Sequence, residues 1–258
     1  MKIALLKISG KALNQLFESK SWITSLKNLQ LLYDGVIIVH GAGSSISSWS
    51  KALGLESTFV NGQRVTSKEI MDVVAAVQTG VLNTKIVSTL TANKLCAMGL
   101  TGIDRSTFVA EAFDDKLGYV GIPKLVGSTT WITDLVKSKT IPVFSSVCRD
   151  AEGNLMNVNA DIFAEVLASS IKAESVFFIS DVDGVKLKGS YKSHINRNDI
   201  LDGISNGEIT DGMIPKMHSC LGLLNKGINK IWIGSSIHEG SFNEFGLQSN
   251  GTWIVQSA

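Results

Sequence analysis

Short apolar runs recur along the chain, and each is bounded by Gly, Asn, Asp or Ser. The runs are five to seven residues long, which suits a strand buried on both faces better than a helix. They are KIALLKI (2–8), GVIIVH (35–40), IPVFSS (141–146), SVFFIS (175–180) and KIWIG (230–234). We predict a buried β-strand from each run.

Helical patterns lie between these strands. Apolar residues at 70, 73, 74, 77, 81 and 82 follow the helical period and predict a long helix over about 67–98. Shorter helices are predicted from Leu13 onward, over 161–172 and over 213–226. Strands that alternate with helices are typical of parallel βαβ units, so the pattern predicts an α/β fold with helices on both faces of one sheet.

Two stretches depart from this alternation. Residues 106–122 alternate weakly around Gly118 and suggest a hairpin, while residues 186–207 are polar and predict a surface excursion. The sequence has no internal repeat and no low-complexity linker. Any boundary between lobes, which we place near 170–175, is therefore expected to be tightly packed.

Composition and charge exclude several classes of protein. The 258 residues are 44% hydrophobic with a net charge of +1, and no basic cluster suggests a nucleic-acid or membrane-surface partner. Cys96, Cys148 and Cys220 are odd in number and widely spaced, which argues against a disulfide framework or a cysteine zinc site. No uninterrupted apolar run reaches the roughly 18 residues of a membrane span. We expect a reduced, cytoplasmic compartment.

Lysine and glycine residues follow the first two predicted strands. The first strand ends near Lys7, which precedes Ser9 and Gly10, and the second is followed by Gly41 and Gly43. In open α/β sheets, ligands bind beyond the carboxyl ends of the strands. Small residues before a helix let backbone N–H groups approach an anion such as a phosphate. Each signal alone also fits a solvated lysine or a tight turn.

Polar residues occupy alternate positions shortly before a predicted helix. Asn157, Asn159 and Asp161 would share one face of an extended segment. Turn and capping chemistry is the alternative, with Asp161 as the cap of the following helix. Lys216 lies inside the start of the last long helix.

Two lysines, two glycine-bearing loops and this polar segment at one sheet edge predict phosphoryl transfer. Such catalysis depends on positioning and on neutralising the charge of the transferring group. A carboxylate between two lysines would orient them and keep them protonated. Neither GxxxxGK[ST] nor GxGxxG occurs at the expected place, so a P-loop and a Rossmann site are not supported.

Taken together, the motifs resemble the amino acid kinase family, in particular its members that phosphorylate N-acetyl-L-glutamate. The resemblance runs in order along nearly the whole chain and rests on KISG, HGAG, FVNGQRVT, YVG, IPVFSSV, GNLMNVNAD, SDVDGV and ITDGMIPKM. The segments NGQRVT and MNVNAD are the specific ones, whereas the lysine strand and glycine loops belong to the broader family.

The resemblance implies roles for individual residues. Lys7 and Lys216 would stabilise the transferring phosphoryl group, and Asp161 would organise both lysines. The acyl substrate would be bound by Gly41, Ala42, Gly43, Arg64, Asn157 and Asn159, and the phosphate loop would comprise Ser9 and Gly10. The nucleotide pocket would comprise Asp181, Val182, Asp183, Gly184, Val185, Lys186, Glu208, Ile209 and Thr210. The implied co-substrate is ATP with Mg²⁺, which the nucleotide carries.

The resemblance also implies a three-layer αβα sandwich around a largely parallel sheet. The single domain, 1–258, would have an N-terminal lobe of about 1–172 for the acyl substrate and dimerisation. A C-terminal lobe of about 173–258 would bind the nucleotide. Dimerisation would use the long helix, and because the chain begins directly with its first strand we expect a plain homodimer that is insensitive to arginine.

Two positions depart from the family pattern, and two rival functions remain. The family commonly has Gly-Gly where this chain has Ser9-Gly10, and three glycines where it has Gly41-Ala42-Gly43. A Cβ there would crowd a bound oxygen if the residue needed positive φ. One rival is another kinase of the family, such as an N-acetyl-aminoadipate kinase or an isopentenyl phosphate kinase. The other is a catalytically dead regulatory relative.

Overall fold

The fold was analysed in a computed structural model, which describes residues 1–18, 21–60, 62–210, 212–235 and 251–256. Within these ranges the strands are β1 (Ile3–Ile8), β2 (Gly35–His40), β3 (Phe59–Val60), β4 (Gln63–Arg64), β5 (Ala97–Leu100), β6 (Phe108–Ala112), β7 (Val120–Leu125), β8 (Ile141–Ser145), β9 (Val147–Arg149), β10 (Leu155–Val158), β11 (Ser175–Ile179), β12 (Lys186–Leu187), β13 (Ser190–Tyr191), β14 (His194–Ile195), β15 (Ile231–Gly234) and β16 (Gly251–Ile254).

The helices in the same ranges are α1 (Gly10–Glu18), α2 (Ser21–Leu32), α3 (Gly43–Ala52), α4 (Lys68–Val74), α5 (Thr84–Ala92), α6 (Thr130–Lys137), α7 (Ala160–Ser170), α8 (Arg197–Ser205) and α9 (Met213–Asn225). A π-helical segment, Ala75–Asn83, joins α4 to α5, and we call the continuous Lys68–Ala92 unit the long helix. Two 3₁₀ turns cover Asp104–Ser106 and Asp115–Leu117. Asn61 and Asp211, which belong to two of the motifs quoted above, lie outside the described residues, as do 236–250.

One large sheet runs through the molecule in the order β14-β16-β15-β11-β1-β2-β8-β5. Its neighbours are parallel except for the β15–β16 pair. β1 lies near the middle, where Ala4 is opposite Val36 of β2 and Ser175 of β11. All five strands predicted from the apolar runs are present, and the prediction of a largely parallel α/β sheet is confirmed.

Alternate residues of the central strands face two separate cores. Leu5 packs with residues of α6, α7 and α9 on one face, whereas Leu6 packs with residues of α1, α2 and the long helix on the other. Each central strand is buried along its whole length, which explains its continuous apolar run. The three layers of an αβα sandwich are therefore present, as the resemblance implied.

A second, four-stranded sheet has the order β6-β7-β10-β9. β6 and β7 form the hairpin predicted over 106–122, although β7 continues to Leu125, and β10 joins it in parallel. Gly118 turns the chain between them with φ +68°, where a Cβ would lie 2.4 Å from the carbonyl oxygen of Thr66. Only glycine fits this turn, which holds the segment after Arg64 against the second sheet.

Two predictions about elements were wrong. The long helix ends at Ala92 rather than near 98, because Asn93 caps it and Lys94 takes a left-handed φ of 63° before β5 begins. The polar stretch 186–207 is not a bare excursion, since it contains α8 and the edge strand β14. Asn196 and Asp199 form a reciprocal capping box that starts α8, and Ile200 anchors the helix in the core.

The long helix has the length and mean hydropathy, 1.3, of a membrane-spanning helix. Half of that stretch is buried inside the protein. Val74, Val77 and Ile86 are fully buried against the large sheet. These contacts are those of a core helix of a globular protein, which can be as long and as apolar as a membrane-spanning helix.

Candidate active site

A cleft of about 220 Å³ opens at the carboxyl edge of the large sheet. It is bounded by the loops after β1 and β2, by the β3–β4 hairpin and by the junction of β10 with α7. The predicted site residues that line it are Lys7, Ser9, Gly10, Gly41, Ala42, Gly43, Arg64, Asn157, Asn159 and Asp161. Residues from four distant parts of the chain thus meet where an α/β sheet places its ligands.

Lys7, Asp161 and Lys216 form a buried ion cluster at the inner end of this cleft. Oδ1 of Asp161 lies 2.6 Å from Nζ of Lys7 and 3.0 Å from Nζ of Lys216. The three residues are only 5%, 8% and 4% exposed. Lys7 and Asp161 line the cleft, whereas Lys216 reaches the shared oxygen from α9 and is not among the lining residues.

Burial and charge act against each other in this cluster. Burial lowers the pKa of Lys7 to about 8, aided by the nearby charge of Lys216 and opposed by Asp161. Burial alone would raise the pKa of Asp161, but the two lysines hold that pKa well below its usual range. With all three groups ionised, the cluster carries a net positive charge facing the cleft, which suits an anion.

Local structure places each member of the cluster. Lys7 follows Leu5 on the strand face toward α7 and α9, and Asp161 lies in the first turn of α7. The side chain of Asn159 accepts a hydrogen bond of 2.8 Å from the backbone N–H of Asp161. Asn159 is therefore the cap of α7, and the alternative prediction of Asp161 as that cap was wrong. The carboxylate of Asp161 remains available to the lysines.

The two glycine-bearing loops touch each other beside the cluster. A Cβ on Gly10 would lie 3.0 Å from the backbone nitrogen of Gly43 and 3.1 Å from the carbonyl carbon of Ala42. Ala42 has φ −146°, and Ser9 is not among the residues with positive φ, so neither departure from the family pattern strains the backbone. The hydroxyl of Ser9 instead accepts a hydrogen bond from the N–H of Ala12 in α1.

Arg64 forms another wall of the cleft and is held by hydrogen bonds. Its guanidinium donates to the hydroxyls of Ser57 and Ser47, both at 2.8 Å, and to the carbonyl of Gly43 at 2.9 Å. The ring of Phe59 packs over it at 4.7 Å. Burial lowers the pKa of Arg64, but an arginine stays charged in proteins. The cleft thus has a fixed positive group at this end.

Asn157 connects this wall to the second sheet. Its side-chain amide donates to the hydroxyl of Thr66 at 3.1 Å, and its backbone N–H donates to the carbonyl of Tyr119. Thr66 is in turn bonded to the turn around Gly118. The two asparagines predicted to share a face, Asn157 and Asn159, both line the cleft, although Asn159 also caps a helix.

The segment predicted for the nucleotide lies beyond the carboxyl end of β11, outside the residues that line the cleft. Asp181 pairs with Lys11 at 2.9 Å, and Glu208 accepts from the N–H of Lys188 at 2.7 Å. The side chains of Val185 and Ile209 are buried in the core, so they would support a nucleotide site from below. Exposed surface in the same region comes from Asp181, Asp183, Lys186, Glu208 and Thr210.

Several cleft residues escaped the sequence-based prediction. Gln78 and Ser146 line it from the long helix and from the end of β8, and both are almost fully buried. A signal for Gln78 was present, since this amide stands among the apolar positions of the long helix. Phe59 and Gln63 belong to the hairpin that carries Arg64.

Comparison with known proteins agrees with this geometry. The sequence pattern of the amino acid kinase family matches residues 2–235. An acetylglutamate kinase from Chlorobium luteolum is 34% identical, covering 98% of this chain and 84% of that protein. An acetylglutamate kinase from Geobacillus kaustophilus is 35% identical, covering 98% and 94%.

A solved structure supports the same assignment. The smu.665 protein from Streptococcus mutans UA159 superposes on this chain with a TM-score of 0.87 at 26% identity, over 99% of both chains. Fold, sequence pattern and relatives therefore agree, and the chain belongs to the amino acid kinase family.

Proposed function

We propose that the chain transfers the γ-phosphoryl group of ATP to the side-chain carboxylate of N-acetyl-L-glutamate. The product is N-acetyl-L-glutamyl 5-phosphate, an intermediate of arginine biosynthesis. The observation that carries this proposal is the buried Lys7–Asp161–Lys216 cluster, which faces the same cleft as Arg64. The acetylglutamate kinases that are 34% and 35% identical over 98% of the chain support the choice of acceptor.

The chemistry needs positioning more than proton transfer. A carboxylate oxygen of the substrate attacks the γ-phosphorus, the bond from that phosphorus to the bridging oxygen breaks, and ADP leaves with the electron pair. The attacking carboxylate is ionised at neutral pH, so no general base is required. Lys7 and Lys216 neutralise the charge that spreads over the transferring oxygens, and Asp161 fixes both lysines.

The remaining groups would hold the two substrates. Arg64 binds the α-carboxylate, while Asn157 and Asn159 bind the acetamido end. Backbone N–H groups of the touching glycine loops would approach the phosphoryl oxygens. The region after β11, with Asp181–Lys186 and Glu208–Thr210, takes the nucleotide. Mg²⁺ would be carried by ATP and would neutralise phosphate charge there.

We further infer a cytoplasmic homodimer that assembles through the long helix. Val81 on this helix is 43% exposed, and Met98 on the neighbouring strand β5 is 44% exposed. β5 is also an edge strand of the large sheet, with one row of backbone groups facing outward. An apolar helix face beside an open edge favours pairing with a second copy of the chain.

The proposed reaction is tested by trapping its product. Purified protein, MgATP and hydroxylamine are incubated with N-acetyl-L-glutamate, N-acetyl-L-aspartate or N-acetyl-aminoadipate, and hydroxamate formation is measured. We expect turnover on N-acetyl-L-glutamate alone, and its loss in Lys216→Ala. Turnover on N-acetyl-aminoadipate instead would reassign the acceptor, and no product with any acid would support a regulatory role.

A further inference from the structure

We propose that Gln78 is a positioning residue that fixes the distance between two sides of the cleft, the glycine loop and the end of β10, between which the acyl substrate would bind. We call this part of the cleft the acyl slot. The inference rests on the proposed function, because it concerns how the acyl substrate fits. The glycine loop is Gly41–Gly43, and the other side is the end of β10 together with Asn159. These two sides are the two walls of the acyl slot.

Gln78 connects these two walls through a short chain of hydrogen bonds. Its amide nitrogen donates to the carbonyl oxygen of His40 at 3.0 Å and to the hydroxyl of Ser146 at 2.9 Å. The hydroxyl of Ser146 donates in turn to the carbonyl oxygen of Val158 at 2.7 Å. The peptide before the glycine loop and the peptide before Asn159 are therefore linked through one amide.

The orientation of this amide is determined by its partners. The oxygen of His40 can only accept a hydrogen bond, so a rotated amide would bring two oxygens together. Both hydrogens of the amide nitrogen are consequently directed, one to His40 and one to Ser146. Gln78 is 2% exposed and lines the cleft, so these bonds are shielded from water at the floor of the slot.

The π-helical segment explains how the long helix supplies this contact. A π-helix bonds residue i to residue i+5, so side chains five positions apart lie close together on one side. Gln78 and Asn83 are such a pair, and both contact His40. Asn83 donates to Nε2 of His40 at 3.1 Å and to the carbonyl of Val143 at 2.8 Å.

The acceptor role of Nε2 places the histidine proton on Nδ1, which faces the carbonyl oxygen of Gly41 at 3.4 Å. Burial lowers the pKa of His40 to about 4, so the ring is neutral and this tautomer persists at neutral pH. His40, the residue before the glycine loop, is thereby held by the side-chain amides of Gln78 and Asn83, which both belong to the long helix. The loop cannot shift relative to the long helix without breaking these bonds.

The acyl chain of the substrate must span the space between these two walls. The guanidinium of Arg64 is bonded to the carbonyl of Gly43 in the glycine loop, and Asn159 is bonded to the N–H of Asp161 on the other side. A fixed separation of the two sides therefore selects chain length, because a shorter or longer acid cannot reach the cluster at Asp161 and the guanidinium of Arg64 together. Without the amide of Gln78, the hydrogen-bonded link between the two sides is broken, and their separation is constrained less tightly even though Asn83 still holds the ring of His40. The expected result is weaker binding and weaker discrimination, rather than a slower chemical step.

The test compares wild type with Gln78→Leu, which has a side chain of similar size and no amide. We expect KM for N-acetyl-L-glutamate to rise roughly tenfold and kcat to change by less than about threefold. Selectivity, taken as the ratio of kcat/KM for N-acetyl-L-glutamate to that for N-acetyl-aminoadipate, should fall roughly tenfold.

Two further variants separate positioning from stability. Ser146→Ala breaks the link to Val158 and should reproduce the change in KM, with no further change in the double variant. Thr79→Val is the matched control, because Thr79 bonds the hydroxyl of Ser145 at 2.9 Å across the same helix–strand contact without lining the cleft. It should lower Tm while leaving KM and selectivity unchanged.

The outcomes distinguish this inference from the proposed function. If the wild type is active but Gln78→Leu and Ser146→Ala leave KM and selectivity unchanged, the inference is overturned and the proposed function stands. The inference is also overturned if Thr79→Val changes KM and selectivity as much as Gln78→Leu does. If wild type gives no product, calorimetric binding of N-acetyl-L-glutamate replaces the kinetics, and an unchanged Kd in both variants counts against Gln78. A wild type that neither reacts nor binds removes the proposed function as well.

Discussion

A single carboxylate oxygen of Asp161 contacts two buried lysines, and this arrangement determines what each residue does. Two adjacent ammonium groups repel each other, and burial disfavours the charge of both. Removing one partner from a buried ion pair costs about 3–5 kcal/mol because the other charge is left uncompensated. Asp161 therefore supplies the opposite charge that compensates the two buried lysines before any phosphate is bound.

The lowered pKa of Lys7 predicts a pH dependence. In the proposed reaction Lys7 must be protonated to neutralise phosphoryl charge, and its pKa of about 8 belongs to the protein without bound substrate. We expect kcat/KM to fall as the pH rises through about 8. Bound phosphates favour the protonated lysine, so kcat should begin to fall only at higher pH. Steady-state kinetics from pH 6 to 10 provide the measurement.

Lys7→Arg supplies the control for this profile. The guanidinium cannot lose its proton in this range, so any residual activity should not decrease near pH 8. If the variant still shows that decrease, another group is responsible.

The free energy of unfolding should change with pH in the opposite sense to activity. The pKa of Lys7 in the folded protein, about 8, is below the ordinary value of 10.5, so the full cost of burying the charged lysine applies below pH 8. This cost decreases as the pH rises from 8 to 10.5, so the free energy of unfolding should rise over that range.

Sequence reasoning at this scale predicted the placement of residues whose geometry is local. Lys7 near a strand end and Asp161 two positions after Asn159 were identified because strand periodicity and the carboxyl-edge rule locate them. The choice between Asn159 and Asp161 as helix cap was not settled by spacing, since either residue type can cap. Gln78 could not be interpreted because its partner, Ser146, is distant in sequence and only the fold brings them together.

At the scale of elements, the start of α1 packs against the glycine loop with no room for a further side-chain atom at Gly10. A Cβ at Gly10 would lie 3.0 Å from one backbone atom and 3.1 Å from another, and backbone cannot rotate away as a flexible side chain can. Gly10→Ala should therefore push the two loops apart. We expect kcat/KM for ATP to fall at least tenfold, because the loss of one oxyanion contact has an effect of at least that order. Circular dichroism should show that the variant keeps its fold.

The reciprocal change at Ala42 tests whether the loop needs another glycine. Ala42 has a negative φ and its side chain is 3% exposed, so Ala42→Gly removes buried surface without relieving strain. We expect no increase in kcat and a loss of about 0.5–1 kcal/mol in the free energy of unfolding. A clear gain in kcat would show that the alanine restricts the loop during turnover.

The elements that sequence reasoning missed lack a clear apolar pattern of their own, for two different reasons. β5 is four residues long, and it follows the long helix after only a short turn at Asn93 and Lys94, so its apolar residues seemed to continue the helical pattern. α8 has few apolar residues and is specified mainly by its capping box. Strong runs such as β1 and β2 were predicted almost to the residue because both of their faces are buried.

At the scale of the whole molecule, the proposed dimer predicts a defined size. Sedimentation velocity should give a particle of twice the 27.7 kDa chain, and a charged residue on the long helix should dissociate it. Val81→Glu would bury an unpaired carboxylate in the dimer contact, so we expect monomers at micromolar concentration. Leu201→Glu on α8 is the matched control, since Leu201 is similarly exposed, at 46%, on a helix outside the proposed contact. A hexamer, or a Val81→Glu dimer as stable as the control, would contradict this arrangement.

The central place of β1 has a consequence for how the chain is made. β1 is synthesised before the strands that flank it, and Ile3 finds its partner Gly35 on β2 soon afterwards. Its other edge pairs with β11, where Ala4 is opposite Ser175. At about 5–20 residues per second, translation from β2 to β11 takes on the order of ten seconds. During that interval an apolar strand edge of the nascent chain is open to pairing with other chains. Ribosomes that stall before β11 would thus release fragments that need a chaperone, although each already carries Lys7.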